Sequence, residues 1–338
     1  MNVIGIESSC DETSVAVLSD DKVVSNLVSS QDIHALFGGV VPELSSRAHL
    51  QIIMPLLKKA LFEASIPVEE IDLVCATAGP GLIGALLVGL TFAKGLSFSL
   101  AKPFVAVNHI EGHIFSGFLM EAKPLFPYLC LVVSGGHTLL LLVKSDLDIV
   151  KLGSTVDDAA GEAFDKVSKL LGFGYPGGPR IQEIATGQRT DFADFPVARC
   201  KKEMDYSFSG LKTSVLRFVQ KEYGSADKIP PEHLPLIAAS FQDSAVRALI
   251  QNAEKALKKY DVKSISLVGG VAANRMLRDR LSDLSDKYKK KLVIPSIEFC
   301  GDNGAMIAYR GYKLHQAGVK YSYEFNAFPS LSDYSFIK

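Results

Sequence analysis

Apolar and polar positions along the chain alternate between strand-like and helix-like periods. Val3-Ile4-Gly5-Ile6, Ser14 to Leu18 and Lys22 to Val28 read as three strands. They flank a polar tip, Glu7-Ser8-Ser9-Cys10-Asp11-Glu12-Thr13, and a turn at Asp20-Asp21, so they form a β-meander. A helix is expected over residues 48–64, a strand over 72–77, and a helix over 81–100 with small residues at Gly84, Gly89 and Gly95. Phe104-Val105-Ala106-Val107 is a buried strand, and Asn108 opens a helix that continues through Ile114, Phe115, Phe118, Leu119 and Met120.

The pattern then recurs. Leu129 to Val133 and Leu139 to Val143 are strands around the polar turn Ser134-Gly135-Gly136-His137-Thr138. Helices follow over 158–171, 178–186, 209–221 and 232–260, then a strand over 264–268, the turn Gly269-Gly270-Val271-Ala272-Ala273-Asn274 and a further helix. Strands followed by helices in each half imply a mixed α/β sheet in each. Two like halves imply an interlobe cleft with ligand loops facing it. The expected domains are 1–127 plus 303–338, with a helix crossing back from Gly301-Asp302-Asn303-Gly304, and 128–302. Residues 122–127 are the hinge candidate.

The chain has 338 residues, enough for two sizeable cores, with 48% hydrophobic and 22% charged residues. A net charge of −1 and a pI of about 6.7 exclude a globally basic nucleic-acid binder. Any such partner would use local patches or a helper subunit. The basic runs Arg199-Cys200-Lys201-Lys202 and Lys287-Tyr288-Lys289-Lys290-Lys291 are patches of that kind, or plain solvated faces. The five cysteines include no CxxC pair, which disfavours a disulfide framework and a thiolate zinc site and fits a reducing compartment. The first ten residues already read as strand and turn, so no signal peptide is expected. Residues 82–100, with Lys94 and three glycines, read as a buried helix rather than a membrane span.

His109 and His113 carry the sharpest chemistry. Four apart on a helix, they stack on one face and can share a metal ion. The plain alternative is a pair of polar residues bonded to backbone at a strand-to-helix corner. Glu111 lies two residues after His109, turned about 200° from it, so it is not placed as a zincin base beside a metal. Asp302, between glycines at a turn-to-helix start, is either an N-cap or a third ligand in a His2Asp set with open positions. Gly79-Pro80-Gly81-Leu82-Ile83-Gly84 matches GxGxxG, but no Asp or Glu stands between Asp72 and Glu111 to bind a ribose. It therefore reads as close backbone packing or a phosphate-approach loop. Ser134 to Thr138 is an anion nest or a plain tight turn. The turn ending at Asn274 lets a ligand approach its backbone, with Asn274 as N-cap or ligand contact.

Taken together, Gly5 to Thr13, Gly38 to Glu43, Asn108 to His113, Ser134 to Thr138, Ser207-Phe208-Ser209-Gly210-Leu211-Lys212-Thr213, Gly269 to Asn274 and Gly301 to Met306 resemble the bacterial tRNA N6-adenosine threonylcarbamoyltransferases. This family was long known as O-sialoglycoprotein endopeptidases. The motifs run in unbroken order over residues 3–318. The resemblance implies two ribonuclease-H-like lobes of the actin, sugar-kinase and Hsp70-like ATPase superfamily. It implies transfer of threonylcarbamoyl from threonylcarbamoyl-adenylate to N6 of adenosine 37 in tRNAs reading ANN codons. It also implies that His109, His113 and Asp302 bind one divalent metal, iron or alternatively zinc. Val133, Ser134, Gly135, Gly136, His137, Asp165, Gly178, Gln182 and Asn274 would bind the adenine nucleotide in the cleft, Gln182 standing where the family often has an acid. Ser9, Asp11 and Glu12 are the polar positions beside the metal, Asp11 and Glu12 being candidates for the N6 proton. The implied partners are tRNA, a smaller paralogous subunit and a P-loop ATPase subunit. The implied compartment is the cytoplasm, with no membrane. A metalloprotease, a nucleotide-gated binding module without chemistry and a sugar kinase are the competing readings; the last leaves the histidine pair unexplained.

Overall fold

The computed structural model describes residues 1–37, 39–330 and 336–338. Gly38 of the Gly38–Glu43 motif lies outside the described residues. In chain order the elements are β1 (Asn2–Glu7), β2 (Glu12–Ser19), β3 (Lys22–Ser30), α1 (Pro42–Ala64), β4 (Leu73–Gly79), α2 (Ile83–Leu100), β5 (Phe104–Asn108) and α3 (His109–Ser116). They continue with β6 (Tyr128–Val133), β7 (Thr138–Ser145), β8 (Asp148–Ser154), α4 (Ala160–Leu170), α5 (Gly177–Ala185), α6 (Ser209–Tyr223) and α7 (Leu234–Lys259). The last are β9 (Ser264–Val268), α8 (Arg275–Lys287), β10 (Lys291–Val293), α9 (Ile297–Cys300) and α10 (Gly304–Gln316). Two compact units result: Met1–Lys123 with Pro295–Lys338, and Pro124–Ile294.

Each unit holds one five-stranded sheet, ordered β3-β2-β1-β4-β5 in the first and β8-β7-β6-β9-β10 in the second. In both, the three meander strands pair antiparallel, the next strand pairs parallel with the first of them, and the last pairs parallel with that one. The repeat expected from the sequence is thus a repeat of topology. It includes β8 and β10, which the sequence pattern did not suggest. β8 breaks its alternation at Gly153, whose Cβ would fall 1.9 Å from the Met204 carbonyl oxygen, and β10 has only three residues.

In the first unit the period-2 rule separates two layers. Ile4, Ile6, Val15, Val17, Val74 and Ala76 point into a core closed by Ile53, Leu56, Leu57 and Ala60 of α1 and Leu90 and Ala93 of α2. Gly5 faces the other way and lets α10 lie on the sheet: a Cβ there would meet the Gly304 oxygen at 2.2 Å. α3 packs on α10 where Gly112 meets Met306 and Ile307. α1 begins six residues before the expected start, because Pro42 needs no N–H partner in a first turn.

The glycines of the GxGxxG match serve packing. Gly79 has φ +151°, and its Cβ would sit 1.9 Å from the Phe328 oxygen; that of Gly81 would sit 2.5 Å from the Ser9 oxygen. The expectation of a buried α2 needs correction. It is long and apolar enough to cross a membrane by length and composition, yet only 33% of that window is buried. One face seals the core, and the other carries exposed Ile83, Leu87 and Phe98.

Candidate functional site

In the first unit two helices start side by side, each with an asparagine cap. Asn108 Oδ1 accepts the N–H of Ile110 (2.9 Å) and Glu111 (3.2 Å), so α3 begins at once after β5 and His109 is its first residue. Asn303 Oδ1 accepts the Met306 N–H at 3.0 Å and caps α10. Asp302 is therefore not the cap, and its carboxylate points elsewhere. Its Oδ1 lies 3.0 Å from His113 Nε2 and 3.5 Å from His109 Nε2. The imidazole centroids are 4.7 Å apart at 82°. One ligand atom from each of the three residues lies within 4.8 Å of the other two. Both histidines are buried and Asp302 is partly exposed.

Glu7, absent from the expected site list, completes the arrangement. Its Oε2 accepts from His109 Nδ1 at 3.1 Å and from the Thr77 hydroxyl at 2.5 Å, while Oε1 accepts the Ser9 N–H at 2.6 Å. Ser9 Oγ lies 3.2 Å from the same Nδ1. A carboxylate on Nδ1 keeps the proton there and leaves the Nε2 lone pair facing His113 and Asp302. Burial pulls the His109 imidazole down, but Asp302 and Glu7 outweigh it and push it up to about 9. Burial alone would raise the Glu7 carboxyl, yet His109 holds it below the usual range. Glu12, half-buried, is pushed up to about 8, first by burial and then by the carboxylates of Asp302, Asp11 and Glu7. Two imidazole nitrogens and a carboxylate oxygen converging with open sides suit a divalent first-row ion, with Glu7 as the outer partner. His113 Nδ1 is buried and has no hydrogen-bond partner among the described residues.

The hairpin tip carrying Ser9, Asp11 and Glu12 is pinned from α1 by His49, another residue the sequence reading missed. Its Nε2–H donates to the Cys10 carbonyl (3.0 Å), so its Nδ1 accepts from the Thr13 hydroxyl (2.7 Å). Ser45 Oγ donates to the same carbonyl. Glu111 is turned away from the metal ligands, as its spacing implied. Its carboxylate is buried against Arg310, with Nε and Nη2 at 2.9 and 2.6 Å. Glu111 is thus not available as the base of a protease reading.

The second unit strings its expected residues along one hydrogen-bonded path. The Ser134 oxygen at the end of β6 accepts the Gly161 N–H of α4 at 3.2 Å. One turn on, Asp165 Oδ1 accepts the Gly177 N–H that starts α5, at 2.7 Å. On α5, Gln182 Oε1 accepts the Arg275 N–H at 2.6 Å, and Asn274 caps α8 through the Leu277 N–H at 3.0 Å. The Asn274 amide also donates to Gln242 Oε1 at 2.8 Å. Gly269, with φ +93°, brings its turn against the Val133 carbonyl at the end of β6, where a Cβ would lie 2.5 Å away. Within the tip, Ser134 N–H donates to the His137 oxygen and His137 N–H to Ser134 Oγ. Gly135, Gly136, Gly178 and Gly270 are different in kind: no left-handed φ and no neighbour within 4 Å of a Cβ calls for glycine there. Glycines that the fold does not need, clustered along one path, are what close approach of a ligand to backbone requires. Of the basic runs, Lys287 and Lys290 are paired with Glu254 and Asp261, whereas Arg199, Lys201 and Lys202 are exposed.

A family profile described as TsaD, tRNA N6-adenosine threonylcarbamoyltransferase, matches residues 22–309. Proteins of that name from Thermosipho africanus and Dictyoglomus turgidum are 52% and 50% identical to this chain, over 98% of it and 99% and 98% of their own lengths. Among solved structures, T. kodakarensis HypF aligns with a TM-score of 0.66 at 16% identity, over 95% of this chain and 48% of its own. Component A of the Acidaminococcus fermentans (R)-2-hydroxyglutaryl-CoA dehydratase aligns at 0.56 and 14%, over 93% and 98%. These distant likenesses show the fold alone, a chain of two α/β units each built on one mixed five-stranded sheet. The near-complete match at about half identity does more: this chain belongs to the tRNA N6-adenosine threonylcarbamoyltransferase family.

Proposed function

We propose that this chain transfers the threonylcarbamoyl group of threonylcarbamoyl-adenylate to N6 of adenosine 37 in tRNAs reading ANN codons, forming N6-threonylcarbamoyladenosine and releasing AMP. The observation that carries this reading, beyond family membership, is the convergence of His109, His113 and Asp302. These three hold one divalent ion, iron or alternatively zinc. When bound, the ion supplies a Lewis acid that stabilises charge developing on an oxygen of the acyl donor. Glu7 fixes the His109 tautomer. Glu12 on the hairpin tip takes the proton that N6 must lose, with Asp11 beside it on the same tip.

The adenine nucleotide binds the second unit. The open glycines support it: within the tip from Val133 to His137, Gly135 and Gly136 present backbone to phosphate, and Asp165, Gly178, Gln182 and Asn274 take the nucleoside. With a net charge of −1, tRNA binding is shared with the smaller paralogous subunit and the P-loop ATPase subunit. The exposed apolar face of α1 and α2 docks the paralogous subunit. Five free cysteines suit the cytoplasm.

The test is mass spectrometry of tRNA nucleosides after incubation with threonylcarbamoyl-adenylate and the partner proteins, with a His109→Ala/His113→Ala variant alongside. Modified adenosine from the native chain alone is expected. Product from both chains would remove the histidines from the mechanism. No product from either, with partners proven competent beside another family member, would overturn the transferase reading.

A further inference from the structure

The helix that carries both histidines is held from behind by groups that the proposed chemistry does not use. Glu111 stands between His109 and His113 on α3 but on the opposite side. It is 1% exposed and its partner Arg310, on α10, is fully buried. Arg310 donates to Glu111 Oε2 from both Nε and Nη2, and the other carboxylate oxygen, Oε1, has a donor from elsewhere in the chain. Its donor is the backbone N–H of Phe336, at 2.7 Å. The Arg310 guanidinium is also covered on its faces: its carbon lies 4.3 Å from the centroid of the Phe115 ring and 5.5 Å from that of Phe336. A residue far along the chain thus completes a buried ion pair that bolts α3 to α10.

These two helices are the ones whose separation matters. α3 carries the two imidazoles, and α10 begins two residues after Asp302. Gly112 is already in contact distance of Met306 and Ile307, so the helices have no slack along their seam. A change in how α3 sits on α10 therefore changes the distances from Nε2 of each histidine to the Asp302 carboxylate. A buried pair that loses one of its hydrogen bonds or its cover becomes costly to keep closed.

We infer that Glu111, Arg310 and Phe336 are positioning residues for the metal centre, and that segment 336–338 acts as a strap whose seating sets how tightly the ion is retained. This rests on the metal reading of His109, His113 and Asp302. The strap makes retention depend on residues that touch neither the ion nor the substrate.

The experiment loads the full chain with one equivalent of Zn2+ and follows release to a chromogenic chelator. The same is done for a chain stopped after Ser335 and for Phe336→Ala and Phe336→Tyr, with melting temperatures of all metal-free chains. Leu57→Ala, in the core beneath α1, calibrates what general destabilisation does to release. Release about 10-fold faster from the shortened chain and Phe336→Ala, near the native rate from Phe336→Tyr, and near-native from Leu57→Ala is expected, as for the loss of an outer partner of a metal ligand. Should the shortened chain not fold, Phe336→Ala decides. Unchanged release in Phe336→Ala, or release that follows melting temperature in every variant including Leu57→Ala, would overturn the strap while leaving the metal site standing. Failure of the full chain to bind zinc would instead remove the metal reading, and the strap with it.

Discussion

At the scale of single residues, the site depends on buried polar groups whose partners come from far away in sequence. Glu7 is fully buried and ionised only because His109, Thr77 and the Ser9 N–H surround it. Glu7→Gln keeps an acceptor but puts an amide N–H2 against Nδ1, so it should weaken zinc binding by about 10–100-fold while the chain still folds, as read by competition with a chelator of known affinity. His49 makes a second prediction. Burial lowers its pKa against the pull of the Cys10 carbonyl. The unfolded chain then binds a proton more readily than the folded one. This neutral histidine's contribution is present above pH 6.5, the unfolded value, and is lost as pH falls through the lower folded value. Urea unfolding of the metal-free native chain should lose more stability between pH 7.5 and 5 than that of His49→Gln, which keeps one donor and one acceptor. Equal losses would mean that His49 does not titrate on unfolding. His109 and His113 were legible because a four-residue spacing fixes a shared helix face. Glu7, His49 and Arg310 were not, since a lone polar residue in a sequence does not reveal which distant group will bury it.

At the scale of elements, periodicity revealed most helices and five of the six meander strands, and it failed where packing rather than pattern decides. β10 exists because β9 offers it a parallel edge, and β8 tolerates Gly153 because the Met204 backbone crosses there. The ends of α1 and α2 show a different kind of local choice. Both close with paired hydrogen bonds from a left-handed residue and its successor: Ser65 and Ile66 onto Phe62 and Leu61, Ala101 and Lys102 onto Phe98 and Ser97. Ser65 at φ 54° and Ala101 at φ 51° occupy the place that glycine fills without strain. Ser65→Gly and Ala101→Gly should each stabilise the chain by about 1 kcal/mol, seen as a higher denaturant midpoint with an unchanged slope. Gly89 lies at the other extreme. A Cβ there would stand 2.2 Å from Ser8 Oγ, so Gly89→Ala should cost about 1–3 kcal/mol by pushing α2 off the strand that leads to Glu7.

At the scale of the whole molecule, each sheet is the centre of a buried core, but not every apolar residue is turned toward one. α2 and α1 turn a contiguous apolar surface outward: Leu50 is 70% exposed, Phe62 84% and Phe98 75%. Between them Leu50, Met54, Leu87, Phe92 and Leu96 line a groove whose floor at Gly95 has nothing within 4 Å of a Cβ. A contiguous patch of this kind is what protein interfaces bury. The same apolarity that made residues 82–100 read as a core helix is therefore divided between two duties, one face for the sheet and one for a partner. Period alone could not separate them, because apolar residues occur all round the helix. If the smaller paralogous subunit covers this face, Leu50→Glu with Leu87→Glu should lower its affinity by at least about 10-fold, since burying two unpaired carboxylates costs several kcal/mol. Zinc retention should stay at the native level, because neither position belongs to the α3–α10 seam. Co-elution of the doubly substituted chain with that subunit at native affinity would place the docking surface elsewhere and leave the outward face of α2 without a role in assembly.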